Sequence, residues 1–147
     1  MTTPSFQTHS GQRVNPLAID PATINIHDIA HHLAHLCRFN GATRVFYSVA
    51  EHSVRVSKLA HRYALEAGET AAAAKVTGLW GLLHDASEAY IADVTRPVKM
   101  TDAFAPYRAI EADLQRACYA RFGLIGTRPA NVTRADDQML EIGRAHV

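Results

Sequence analysis

From Ile26 to Phe39 the apolar residues Ile26, Ile29, Ala30, Leu33, Leu36 and Cys37 recur at the spacing of one helical face, and Asn40-Gly41 supplies a stop. A second amphipathic helix is predicted from the capping-box pattern Ser48-Val49-Ala50-Glu51 through Val56, Leu59, Ala60 and Tyr63 to Gly68. Residues 70–88 carry four consecutive alanines and then Val76, Leu79, Trp80, Leu82 and Leu83. Apolar nearly all round, they predict a central buried helix that ends at His84-Asp85, with Trp80 in the core. Asp102 can cap a fourth long helix through Ile110, Leu114, Cys118 and Phe122, and Gly123 stands where a left-handed C-terminal residue belongs. A last helix starts near Pro129. Residues 1–24 are polar and carry Pro4, Gly11, Pro16 and Pro21, so they read as an extended arm lying on the domain. The one plausible strand, 44–49, is short and runs straight into a helix signal. The expected fold class is therefore all-α, with a single helical domain over residues 25–140.

Composition narrows the classes of function. A chain of 147 residues with 48% hydrophobic and 20% charged side chains has the size of one globular domain. No stretch approaches the roughly 20 apolar residues of a membrane-spanning helix. The N-terminus has no apolar core after a basic start, so the expected location is the cytoplasm. Cys37 and Cys118 both fall in apolar helical patterns, and free thiols fit a reducing compartment. A net charge of +1 with interspersed signs gives neither a basic field for polymeric nucleic acid nor a polybasic membrane anchor. Nine histidines are many for this length, and imidazole is the side chain best suited to metal ligation and proton transfer near neutral pH.

Charged and imidazole groups at the end of an apolar helix are costly to bury unless paired, and a divalent metal pairs them strongly. His84-Asp85 is the first such group, and Glu88, four residues after His84, is expected on the same helical face. His52, one turn into the second helix, and Asp136, near the start of the last, are spaced so that a bundle can bring them to the same point. Two imidazoles and two carboxylates suit a first-row divalent ion with positions open for water and substrate oxygens. Arg38 and Lys99 are candidates for phosphate contacts, although an exposed Arg or Lys is more often simply solvated. His27, His31 and His35 also share one face, but only Asp28 could add a carboxylate there, so they are read as surface residues.

The order His52, His84-Asp85, Asp136 in an all-helical chain resembles the HD-domain metal-dependent phosphohydrolases. Local segments narrow the resemblance: Tyr47-Ser48-Val49-Ala50-Glu51-His52-Ser53, Leu83-His84-Asp85-Ala86-Ser87-Glu88, Asp93, Pro97-Val98-Lys99 and Ala135-Asp136. They look like the branch containing bacterial 5'-deoxynucleotidases and the small phage enzymes that strip triphosphate from deoxyadenosine triphosphate. The resemblance spans roughly residues 5–140. It implies His52, His84, Asp85 and Asp136 as ligands of a divalent ion (Mn, Co, Zn, Ni, Fe or Mg), with Asp137 only their neighbour. It implies an acidic catalytic residue at Glu88, which would orient or deprotonate water; Asp93 would share that work or hold a sugar hydroxyl. Arg38-Phe39 would line the nucleotide pocket, with Phe39 against the base.

The implied reaction breaks the bond between phosphorus and the sugar 5' oxygen of a (deoxy)nucleotide. A monophosphate would give nucleoside and phosphate; a triphosphate such as dATP would give nucleoside and triphosphate. Hydrolysis of cyclic or signalling nucleotides is a further possibility in the wider family. The rival from another class is a nucleotide-sensing or binding module that keeps the HD fold without turnover, against which Glu88 and the four intact ligands argue. A homo-oligomer is expected from the resemblance. Glu141–Val147, back-translated, fits read-through of a common sequencing adapter (GAG ATC GGA AGA GCA CAC GTC), so these residues are expected to be non-native and His146 is set aside from the metal reading.

Overall fold

The computed structural model describes residues 4–145; His146 and Val147 of the expected non-native tail lie outside the described residues. Two strands, β1 (Phe6–Gln7) and β2 (Arg13–Val14), pair antiparallel with Phe6 opposite Val14. The helices are α1 (Ile26–His35), α2 (Val49–Glu66), α3 (Ala71–Leu82), the single-turn α4 (Glu88–Ile91) and α5 (Arg96–Lys99), then α6 (Ala105–Arg121) and α7 (Ala130–Ala145). The fold is all-α apart from the small hairpin. Among the described residues no helix is long and apolar enough to cross a membrane.

Helices α1, α2 and α3 each begin where a short polar side chain satisfies amides that have no partner inside the helix, whereas α6 starts after Phe104 with no side-chain cap, because the expected cap Asp102 opens a separate short turn ahead of it. The Asn25 side chain accepts from the His27 amide before α1, Ser48 from Glu51 before α2, and Thr70 from Ala73 before α3. Only half of the expected capping box forms, because Glu51 turns to its ion pair with Arg55. The first helix stops at His35 rather than Phe39. Phe39 and Asn40 instead take left-handed φ of 53° and 54°, which reverses the chain between α1 and α2.

The expected strand at 44–49 is absent; a single bridge joins Cys37 to Ser48, and between them a short 3-10 turn, Arg38–Gly41, is followed by irregular chain. The paired strands lie in the N-terminal segment, which buries Val14 and Ile24 in the core. There Asp28 accepts from both the amide and the hydroxyl of Ser10, at 2.7 Å each, and so fastens the hairpin to α1.

The α2 helix packs against α3 and α7 and forms the centre of the molecule. Contrary to expectation, α3 is not buried all round: Ala74, Thr77, Gly78, Trp80 and Gly81 face inward, while Val76 and Leu79 face out. Apart from Trp80, its inward side is built of small residues, which lets α2 lie very close. A Cβ at Gly81 would meet the Ser57 backbone at 3.0 Å, and the Ser57 hydroxyl donates to the Gly78 carbonyl at 2.7 Å.

Candidate metal centre

The close approach of α2 and α3 places His52, on the first turn of α2, beside His84, two residues past the end of α3. Both imidazoles are buried and their Nε2 atoms lie 3.2 Å apart. Asp136, on α7, sets its Oδ1 at 2.9 Å from His52 Nε2 and 3.6 Å from His84 Nε2. Asp85 brings its Oδ2 to 3.2 Å from His84 Nε2 and 3.7 Å from His52 Nε2. One ligand atom each from His52, His84 and Asp136 falls within 4.8 Å of the other two, the one such group among the described residues.

The chemistry of these donors fits a divalent cation. His84 Nδ1 donates to the Gly81 carbonyl at 2.7 Å, which fixes the ring and turns Nε2 toward the cluster, the usual support of a metal-binding histidine. With protein atoms alone, the cluster draws its positive charge from a proton. Burial works against a charged His84, but the Asp85 charge and the Asp136 hydrogen bond outweigh it and raise its pKa to about 10. Burial, and then the Arg38 charge, shift His52 down against the pull of its hydrogen bond to Asp136. Burial would raise Asp85 and Asp136; His84 instead holds Asp85 at about 2, and hydrogen bonds from His52 and His84 hold Asp136 below its usual range. The four residues implied by the sequence thus surround one point that demands positive charge.

Above that point opens a cavity of about 420 Å3, lined by Arg38, Phe39, Asp85, Glu88, Asp93, Lys99 and Asp136 among others, within the size range of small-molecule sites. Arg38 lies 3.5 Å from Asp85 and its guanidinium stands over the Phe39 ring at 5.3 Å. Lys99 is held at 2.8 Å by Glu111 of α6. Glu88 does line the cavity, but not for the reason its spacing gives. The helix breaks after Leu82, residues 83–87 run as successive tight turns, and Glu88 opens a separate helix. Gln115 of α6 makes that break, accepting from the Ser87 amide and donating to the Leu83 carbonyl. Glu88 Oε2 is buried and without a hydrogen-bond partner. Burial, then the charges of Asp85 and Asp93, push its pKa well above the usual carboxylate range. Burial also raises Asp93, against the pull of Arg38.

Sequence reasoning missed Thr95 and Arg96, which line the same cavity, and Asp137, which forms part of its wall. It also missed α6 as the support behind the site: Tyr107, Arg108, Glu111 and Gln115 all reach from one side of that helix to the segments carrying the cavity residues. Their spacing of roughly four residues is a signal, masked because long polar side chains on a helix read as solvated. The histidines of α1 lie elsewhere. His31 stacks on His9 at 3.6 Å and sits 4.3 Å from His35, while His32 donates to the Ala89 carbonyl and accepts from the His9 amide.

Residues 40–116, more than half of the chain, match the family described as HD domain. The match takes in His52, His84, Asp85, Glu88, Asp93 and Lys99 and stops short of Asp136. An uncharacterized protein of Rhodobacter capsulatus is 40% identical over 128 residues, which are 86% of this chain and 62% of that protein. The uncharacterized protein YfdR of Escherichia coli is 33% identical over 140 residues, 95% of this chain and 70% of YfdR. The chain thus spans under two thirds of the length of the Rhodobacter relative. With two histidines and two aspartates converging from α2, the end of α3 and α7, and with this match across its centre, the chain belongs to the HD-domain family, whose members are generally metal-dependent hydrolases.

Proposed function

We propose that the protein is a metal-dependent phosphohydrolase that cleaves the bond from phosphorus to the sugar 5' oxygen of (deoxy)nucleotides. The observation that carries this reading is the convergence of the His52, His84, Asp85 and Asp136 donors at the base of a cavity that also presents Arg38 and Phe39. The four donors would hold the ion, which when bound lowers the pKa of water and offsets charge on phosphoryl oxygens. Arg38 offers paired N–H donors to those oxygens, and Phe39 beside it offers a face for the base. Lys99, oriented by Glu111, and Arg96 add positive charge on the wall across which the phosphate would lie.

Glu88 has the chemistry for the proton. Its Oε2 is free of protein partners, and its raised pKa suits a group that takes a proton from water and returns it. In the balanced reaction the oxygen of water bonds to phosphorus, the bond from phosphorus to the 5' oxygen breaks, and the proton ends on the 5' hydroxyl. The test is a screen of purified protein against the mono- and triphosphates of each nucleoside and deoxynucleoside, with several divalent ions. Release of phosphate or triphosphate together with free nucleoside is expected. Binding of nucleotides with no release would replace this reading by that of a sensing module.

A further inference from the structure

Much of the cavity wall comes from the segment 93–100, and the entry to that segment is strained. Ala92, which ends α4, has φ 68° and ψ 171°, a region of backbone space occupied almost solely by glycine. A side chain held there is strained and persists only where surrounding contacts impose it. Two contacts do so. The Ala92 amide donates back to the Glu88 carbonyl at 2.9 Å, and the Tyr107 hydroxyl donates to the Ala92 carbonyl at 3.0 Å. The far end of the segment is fastened by the next residue of α6, where Arg108 Nη1 donates to the carbonyls of Lys99 and Thr101 at 2.5 and 2.7 Å.

The residue after the strained peptide is Asp93, half-buried and turned into the cavity. No hydrogen bond from the described residues holds its carboxylate, which is affected only by burial and by nearby charges. Its direction is therefore inherited from the backbone of Ala92. We infer that Tyr107 is a positioning residue: by pinning the Ala92 carbonyl it holds an alanine in a glycine conformation and so aims Asp93 into the cavity. The catalytic part of this inference rests on the phosphohydrolase reading above; the structural part does not.

Two variants and one crystal structure test it. Tyr107→Phe removes only the hydroxyl. With the best nucleotide from the screen, its kcat is expected to fall about tenfold, the factor that corresponds to one lost hydrogen bond of about 1.4 kcal/mol, with metal content unchanged. Glycine needs no clamp to occupy this conformation. Adding Ala92→Gly to Tyr107→Phe is therefore expected to restore most of the lost kcat, which a merely structural tyrosine would not show. In the crystal structure of Tyr107→Phe, Ala92 is expected at negative φ with Asp93 turned away from the cavity. A double variant as slow as Tyr107→Phe, or wild-type kcat in Tyr107→Phe, would overturn the positioning role. If no nucleotide is hydrolysed by the wild type, the functional reading fails by itself and the crystal structure still decides the clamp: Ala92 kept at positive φ without the hydroxyl would overturn it.

Discussion

Asp85 and Glu88 lie three residues apart on the same cavity, yet in different surroundings. Asp85 contacts both imidazoles, so Asp85→Ala removes a donor from the point where positive charge collects. Metal content by elemental analysis is expected to fall sharply in this variant and in His84→Ala, with the helical circular dichroism largely kept. Wild-type metal content in Asp85→Ala would remove it from the ligand set. Glu88 touches neither imidazole, and its Oε2 has no partner to lose. Glu88→Ala is expected to keep the metal and slow hydrolysis by roughly 100-fold or more; unchanged turnover would transfer the proton to Asp93. The placement of His84 and Asp85 was partly legible in sequence, since a buried His-Asp pair after an apolar helix needs a counter-charge wherever it folds. The position of Glu88 was reached by a wrong route, because its helical register with His84 ends where Gln115 of α6 breaks the helix.

Between elements, the separation of His52 from His84 is set by how closely α2 and α3 can lie. At Gly81 a Cβ would come within 3.0 Å of Ser57 Cα and 3.2 Å of its amide nitrogen. Both atoms are backbone and cannot swing aside. Gly81→Ala is expected to cost about 1–3 kcal/mol of stability, read as a lower Tm, and to weaken metal binding in titration by moving one imidazole relative to the other. Equal Tm and equal affinity would show that the helices can part at no cost. The start of α2 was legible because Ser48 acts on an amide three residues away, whereas the cap expected from Asp102 does not form and α6 starts only at Ala105. Helix ends and exposed faces were less legible. Residues such as Val76 and Leu79 look buried by type, but the small residues on the other side of α3 are the ones that win the contact with α2. The hairpin was missed for a similar reason, since its strands are two residues long and owe their place to Asp28 on α1.

That fastening gives the whole molecule a dependence on acid. Burial alone would raise the pKa of Asp28, but hydrogen bonds from Ser10 and Thr8 and the neighbouring His32 hold it below its ordinary value. The folded chain therefore keeps Asp28 ionised at a pH where the unfolded chain has protonated it. Its stabilising contribution is complete above about pH 4 and is lost as the pH falls through the lower, folded value. Thermal melts should show Asp28→Asn less stable than wild type at pH 7, with the gap closing toward pH 2. A gap that stays constant over that range would mean the charge of Asp28 does not hold the hairpin. At this scale the all-α class and the helix order were legible from periodicity, whereas the side-chain bonds that tie the N-terminal segment and α6 to the site were not, because each joins residues far apart in sequence.

The α2–α3 contact also separates what can change from what cannot. His52 and His84 are spaced by main chain resting on main chain, which leaves no room for a side chain at Gly81. The wall at 93–100 hangs from Tyr107 and Arg108 by a few hydrogen bonds to carbonyls, which accept any side chain in between. Substitutions at Val94, Thr95, Arg96 or Met100 can therefore reshape the cavity wall one at a time while the spacing of His52 and His84 stays fixed. A mutational library confined to those four positions should yield altered substrate choice far more often than loss of the fold.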